Sequence, residues 1–371
     1  MYRKILAVFS LLSVMLYSGF TFGGSHNWDE VLAEAKKEGK VNWFQWYLVD
    51  ALAEFIKPFE EEYGIDVVIT QGKHTVNIDK AVAEMGRSKG DIDVLSLGFD
   101  KIPDLNMPGM FIKLSDELPK DSRTTNLAGV DAKDYAYAWW GNQSGFAYDP
   151  EKVDESKLPQ TPEEIAQFWE ANPGKFGFNY ENGGSGPSFF QNILRVMGSA
   201  DFTSGESSPE KISKLKPGID YFNKYADKYI ITAGNADSIQ RISDKEIWMA
   251  PAWEDHLAGL QKRGEVRKEI KMYIPSMGMN GGGNGVAIPK NAPNPHAALV
   301  FANWLLSAET QTGFNRDFGA APLHPEADDS SALISNSQRA YRQNWASNPF
   351  SKDLTDHFIE EVMMNLSLIH I

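Results

Sequence analysis

Apolar residues recur at helical spacing in Trp28, Val31, Leu32 and Ala35, behind the capping residue Asn27 and ahead of Gly39. An aromatic-rich run, Val41–Tyr47, then reads as a buried strand. Leu52, Phe55, Ile56 and Phe59 fall on one side of a second helix, Leu52–Tyr63, which Pro58 should bend and Gly64 should stop. Ile65–Thr70 reads as a strand, Asp79–Gly86 as a helix, and Asp93–Leu97 as a short apolar strand ending at Gly98. Alternating strands and helices predict an α/β sheet with parallel members, whose ligands sit beyond the carboxyl ends of the strands. The segments ending at Tyr47 and at Leu97–Phe99 are pocket walls by that rule.

A middle region begins near Gly141. Thr161-Pro162-Glu163-Glu164 is a capping box with proline in the first turn, and Pro173-Gly174 cuts the helix it opens. Phe176–Tyr180 reads as a strand, Glu181–Pro187 as a glycine-rich loop, and Ser188–Met197 as an amphipathic helix. Ile219–Tyr229 and Trp253–Lys262 are further helices, the latter after the strand-like Ile247–Ala250. Met272–Pro275 and Val286–Ile288 read as strands on either side of Gly281-Gly282-Gly283-Asn284-Gly285. Pro295–Leu306 is a strongly apolar helix, and Ser307 caps another. Leu366–Ile371 continue no helical pattern and read as a stretch foreign to the natural chain, like translated adapter sequence.

A chain of 371 residues, 42% of them hydrophobic, can build two cores, and chains beyond roughly 250–300 residues usually divide. Arg3 and Lys4, the apolar run Ile5–Tyr17 and the small residues of Ser18–Ser25 form an export signal over residues 1–24. The run is too short for the ~20 residues of a stable membrane-spanning helix. The formal charge is −14, and removing the signal takes away two basic and no acidic residues. Such a surface repels nucleic acid and anionic lipid. There is no cysteine, which excludes disulfides, thiolate chemistry and lipidation at an N-terminal cysteine. A soluble, monomeric periplasmic protein, held together by packing alone, is the expectation.

Enzyme signatures are missing. Glu254-Asp255-His256 and Glu60-Glu61-Glu62 are adjacent residues that cannot pair as catalytic carboxylates, and both read as solvated helix faces. The histidines show no metal-binding spacing, there is no Gly-x-Ser-x-Gly elbow, and Gly281–Gly285 lacks nucleotide-loop features. No catalytic residue, metal or cofactor is expected.

Gly283-Asn284-Gly285-Val286-Ala287-Ile288-Pro289-Lys290-Asn291-Ala292-Pro293-Asn294-Pro295, followed by Trp304-Leu305-Leu306-Ser307, resembles the extracellular solute-binding proteins of the polyamine, thiamine and ferric-iron group. Tyr137–Val153, Val67–Leu97 and Pro159–Met197 follow the same pattern in order, the last closest to a thiamine- or polyamine-like branch. The resemblance implies a type II periplasmic-binding-protein fold, with two hinged α/β lobes, each a central mixed sheet flanked by helices. Residues 27–140 and 284–321 would form the first lobe, and 141–283 with 322–365 the second. A small organic solute would be enclosed between them and passed to an inner-membrane ABC permease.

The resemblance and the strand-end rule together nominate Trp46, Tyr47, Gly98, Phe99, Trp140, Gly184, Ser185, Gly186, Ser188, Trp253 and Asn284 as solute contacts. Trp46 and Trp253 match aromatics that polyamine-binding relatives lay against an amine chain, where aromatic faces attract cations by ~0.5–2 kcal/mol. Ordinary core packing is the alternative for each. Gly183–Ser188 opens a helix, so its backbone N–H groups, with Ser185 and Ser188, could hold an anionic or carbonyl oxygen. That loop carries no acid here, and Gly282 stands where an aromatic is usual, which speaks against a multiply charged polyamine. No Tyr-Tyr pair is present to hold ferric iron. A singly charged or zwitterionic amine such as thiamine is the expected solute. A sensory receptor of the same fold, or a sugar- or anion-binding member, is the alternative.

Overall fold

The computed structural model describes residues 27–369 apart from 128 and 336; the expected export signal lies outside them. Among the described residues no helix is long and apolar enough to cross a membrane. The first elements follow the sequence pattern. Asn27 Oδ1 accepts from Asp29 N at the start of the helix Trp28–Glu38, and Gly39 closes it at φ +70°. The expected bent helix is two helices, Val49–Phe55 and Lys57–Tyr63, separated at Ile56. Pro58, which lacks an N–H, takes a first-turn position of the second, where none is required.

Strand β1 (Lys40–Gln45) lies parallel to β2 (Asp66–Gln71) and to β3 (Val94–Gly98). Trp43 and Phe44 point to opposite faces, as neighbours on a strand must. Trp43 packs with Phe59, Trp139 and Phe301 in one cluster, and Phe44 with Leu97, Phe99 and Phe111 in the other. The buried Trp43 indole N–H donates to Ser96 Oγ at 2.8 Å.

The sheet then continues through strands that belong to both halves of the molecule. β4 (Tyr137–Tyr148) pairs antiparallel with β5 (Met249–Trp253) and β6 (Lys271–Tyr273) through its second half. Through its first half it pairs with β7 (Met279–Ala287), which also pairs antiparallel with β3. The two-residue strand β8 (Arg342–Gln343) runs parallel to the start of β7. Gly98, Asn284 and Trp140 stand in one row across β3, β7 and β4, and the register slips by one residue directly after Asn284.

A separate, larger core gathers round Trp169, Phe176, Phe178, Phe189 and Phe222. The C-terminal segment joins it. Phe358 stacks on Phe190 with centroids 4.0 Å apart, and Val362 and Leu366 are buried there. The helix expected to break at Leu366 instead runs on through Met364–Ile369, because Leu366 extends the apolar stripe of Phe358 and Val362 onto this core.

The helix expected at Ser188 starts three residues earlier, at Ser185. Its first turn lies so close to the preceding strand that a Cβ on Gly186 would come within 1.5 Å of the Asn179 carbonyl oxygen. Only hydrogen fits there. Gly186→Ala should therefore destabilise the fold by about 1–3 kcal/mol or more, since backbone and not a movable side chain blocks the added methyl. Urea denaturation of the solute-free variant measures this, and an unchanged midpoint would contradict the close approach.

Candidate functional site

A cavity of about 610 Å³ opens where β1, β3 and β5 end and where β4 and β7 cross between the cores. Trp46 and Tyr47 follow directly on β1, and both are half-buried. Trp46 stacks on His74, with centroids 3.9 Å apart and planes at 30°. The His74 Nε2 lone pair accepts the Gly98 N–H at 3.0 Å, and burial holds the imidazole pKa down at about 4. The ring is therefore neutral at pH 7. Tyr47 stacks on Trp140 (5.7 Å, 23°). Trp140 is 2% exposed and meets the cavity only at its margin, while Trp139 behind it is core, against Trp43 and Phe314. Gly98 and Phe99 complete this wall.

Trp253, at the end of β5, forms the opposite wall, and a Cβ on Gly184 would come within 3.3 Å of its ring. The helix Glu254–Lys262 begins immediately after it, and here the structure corrects the sequence reading. Glu254 and Asp255 are 0% and 7% exposed, so this is no solvated helix face. Adjacent helical residues point in different directions, and the two acids serve different sides. Glu254 turns inward to Arg339 Nη2, at 2.8 and 2.9 Å, and accepts the Ile334 N–H at 3.1 Å. Asp255 opens into the cavity beside Tyr47 and Trp140.

No cationic side chain pairs with Asp255 among the described residues. Its recorded bond is the His256 N–H at 3.0 Å, and the Trp140 indole N–H leans on it too loosely to form a hydrogen bond of good geometry. Loss of hydration, followed by the charge of Glu254, pushes the Asp255 carboxyl up to about 7. His256, which also lines the cavity, is held below the usual histidine range by burial. Asn284 adds a second acceptor. It is 4% exposed, faces the cavity, and its Oδ1 has no hydrogen-bond partner.

The oxyanion cradle expected at Gly183–Ser188 is not formed. Asn235 Oδ1 accepts the Ser185 N–H and Asn179 Oδ1 the Gly186 N–H, both at 3.2 Å. Ser185 Oγ lies 2.6 Å from Asn235 Oδ1. Ser188 Oγ accepts from Asn280 N at 2.8 Å and shares a 2.6 Å bond with Ser144 Oγ. Pro187 has no N–H to offer. Of this loop only Gly184 and Pro187 border the cavity, and Ser185, Gly186 and Ser188 are buried behind it.

The structure also brings in residues that sequence reasoning did not nominate. His74, Asn142, Asn235, Asp255 and His256 line the cavity, as do Asp100, Lys101 and Asp104 after β3. A C-terminal strap, residues 344–348 with Ser351, supplies another edge, including Trp345. The strand-end rule that found Trp253 would have reached Asp255, two residues on, had the acid not been read as solvated. Nothing local marks Trp345, which is near the cavity only through tertiary packing. Among the described residues no three histidine, aspartate or glutamate side chains converge as metal ligands.

SpuD, a putrescine-binding periplasmic protein of Pseudomonas aeruginosa (strain UCBPP-PA14), is 26% identical over 318 residues, 77% of this chain and 80% of that protein. Among solved structures, the spermidine/putrescine ABC transporter substrate-binding protein PotD of Streptococcus pneumoniae superposes with a TM-score of 0.65 at 12% identity, covering 89% of this chain and 98% of its own. Iron-bound HitA of Pseudomonas aeruginosa gives 0.60 at 17% identity, over 88% and 98%. These likenesses establish the two-lobed, type II periplasmic-binding fold. Residues 54–340 match the bacterial extracellular solute-binding protein family, so the chain belongs to that family, whose members carry solutes and are not enzymes.

Proposed function

We propose that this protein captures a small organic cation, an amine such as thiamine, in the cleft and delivers it to an inner-membrane ABC permease. The observation that carries the reading is Asp255, a buried carboxylate set among aromatic rings, with no cationic side chain beside it among the described residues. A carboxylate in that position is unfavourable until a cation replaces its lost hydration. Trp46, Tyr47 and Trp253 offer faces that attract cations, and the free Asn284 Oδ1 asks for an N–H or O–H donor. An anionic solute is disfavoured, because the donors of the nearby helix start are already engaged. Relatives named for putrescine and spermidine agree with an amine.

Transport follows from contacts on both sides. Trp46 and Tyr47 belong to the first half of the fold, Trp253 and Asp255 to the second. A solute touching both favours the closed arrangement by its extra affinity for that state, and by no more. The two strands that cross between the halves provide the hinge, and residues 281–283 leave it free of bulky side chains. Export to the periplasm as a cleaved, unlipidated monomer accompanies this reading. A sensory role would use the same cleft, and solute-dependent binding to a permease complex distinguishes transport.

A thermal-shift screen of thiamine, choline, putrescine, phosphate esters and neutral sugars tests the solute class. A ligand at 100 times its dissociation constant adds about 2.7 kcal/mol of stability. Organic cations should shift the melting temperature, and a shift with sugars alone would refute the proposal. Asp255→Asn should weaken cation binding about 10- to 100-fold, the loss of a charge-assisted contact, measured by calorimetry.

The pH dependence has a definite sign. A cation needs the ionised carboxylate, so affinity should rise with pH up to about 7 and level off above it. Binding near pH 6.5 should release a proton from Asp255, seen as a dependence of the calorimetric heat on buffer ionisation enthalpy. In the solute-free protein the folded pKa of about 7 lies above the ordinary 3.8. The folded state then holds the extra proton, and the stability this group contributes falls as pH rises between those values. Asp255→Asn should remove that slope. Glu254 with Arg339, His256, Tyr47 and Arg263 surround the site and are unchanged in this variant.

A further inference from the structure

The second crossing, β7, presents a bare floor to the cleft, since Gly281, Gly282 and Gly283 line it in succession. A Cβ on Gly281 would come within 2.2 Å of both Arg342 Cδ and Gln143 Oε1, and one on Gly283 within 2.9 Å of the Trp140 carbonyl oxygen. On Gly282 a Cβ would meet only Asn142 Oδ1, at 3.3 Å. With glycine at all three positions, no β7 side chain between 281 and 283 forms a wall beside Trp253. The ring that stands there comes from the C-terminal strap. Trp345 is half-buried, borders the cavity, and lies 6.3 Å from Trp253 with the two planes at 32°.

The strap is fixed on both sides of that ring. Arg195 Nη2 donates to the Asn344 carbonyl oxygen at 2.6 Å, and the Ala346 N–H donates to Gln191 Oε1 at 3.1 Å. Gln191 is 2% exposed and also accepts from Asn280 Nδ2. Among the described residues Arg195 has no carboxylate partner. It bonds Asn192 Oδ1 at 2.5 Å and lies over the Phe202 ring, and burial lowers its pKa to about 10. Arg195 is half-buried, and a guanidinium partly withdrawn from water needs acceptors in place of its hydration; the strap backbone supplies one.

We infer that Trp345 is a solute-contacting residue that sets specificity, and that Arg195 and Gln191 are positioning residues that hold its ring beside Trp253. Resting on the reading of the cleft as a cation site, the inference narrows the solute class. Beyond Trp345 the strap presents the amides and hydroxyls of Asn344, Ser347, Asn348 and Ser351, not carboxylates. On the facing side Asp100 is paired with Lys101 at 2.9 Å, and Asp104 is exposed. Asp255 is thus the buried negative charge of the cleft. The fitting solute is a monocation whose other part is flat and uncharged, with hydrogen-bonding groups, and not a diamine charged at both ends.

The test compares thiamine, a ring-bearing cation, with putrescine as the doubly charged probe, by calorimetry. Trp345→Ala should weaken thiamine binding about tenfold and putrescine by less than about threefold, whereas Trp345→Phe should retain most of the thiamine affinity. Arg195→Gln and Gln191→Ala should each weaken thiamine in the wild-type background and have no further effect with Trp345→Ala, the signature of residues acting through one ring. Equal losses for both probes, or none, would overturn the strap assignment. If Asp255→Asn still weakened both by the expected 10- to 100-fold, the cleft reading would survive that failure. A wild-type protein binding neither probe would overturn both. Urea midpoints of each variant separate misfolding from lost contact, and Trp345→Phe keeps the test open if Trp345→Ala fails to fold.

Discussion

Two strands that hydrogen-bond to each other while passing through both cores are the constraint on which this molecule depends. β4 and β7 cannot be assigned to one half, because their paired residues run from Tyr137 and Val286 on one side to Gln143 and Gly281 on the other. The cleft exists because the sheet narrows at this crossing. Away from it β1, β2 and β3 widen the sheet on one side, and β5 and β6 on the other. Strand ends converge at the narrowing, and Trp46, Gly98 and Trp253 arrive there without help from long loops. A solute placed at the waist touches whatever both halves present.

Much of this architecture can be read along the chain. The capped first helix, the paired aromatics of β1 and the apolar helix Pro295–Leu306 carry local signals strong enough to survive tertiary packing. The stretch Asn291–Pro295 shows why a short motif can be informative. Asn294 donates from its backbone and side chain to the two oxygens of buried Asp93, which also accepts from Asn42 on β1. Asn291 reaches the Glu84 carbonyl oxygen. Those residues fasten a returning chain to the sheet at the start of β3, so their order encodes a tertiary event.

The cleft was less legible, for two physical reasons. Burial of a charge is decided by what packs over it, and the sequence of the helix after Trp253 looks the same whether its acids face water or protein. Glu254 and Asp255 read as solvated for that reason. Hydrogen-bond donors at a helix start are visible as a pattern, but whether Asn179 and Asn235 have already taken them is not, since Asn235 lies fifty residues from Ser185. Trp345 is still further from the residues it joins. In each case the deciding partner is distant in sequence.

The order in which the cores are threaded has a consequence for how the chain reaches its native form. The first core needs Pro295–Leu306 to cover strands made much earlier, and the second needs Phe350 to Leu366 to cover Phe190. Neither core is complete until a segment far along the chain has joined it. With so many contacts between segments far apart in sequence, folding is expected to be slow compared with local helix formation. Until those two segments dock, the aromatic faces of Trp43 and Phe190 stay uncovered, so a chain interrupted before either of them would expose apolar surface and be prone to aggregate.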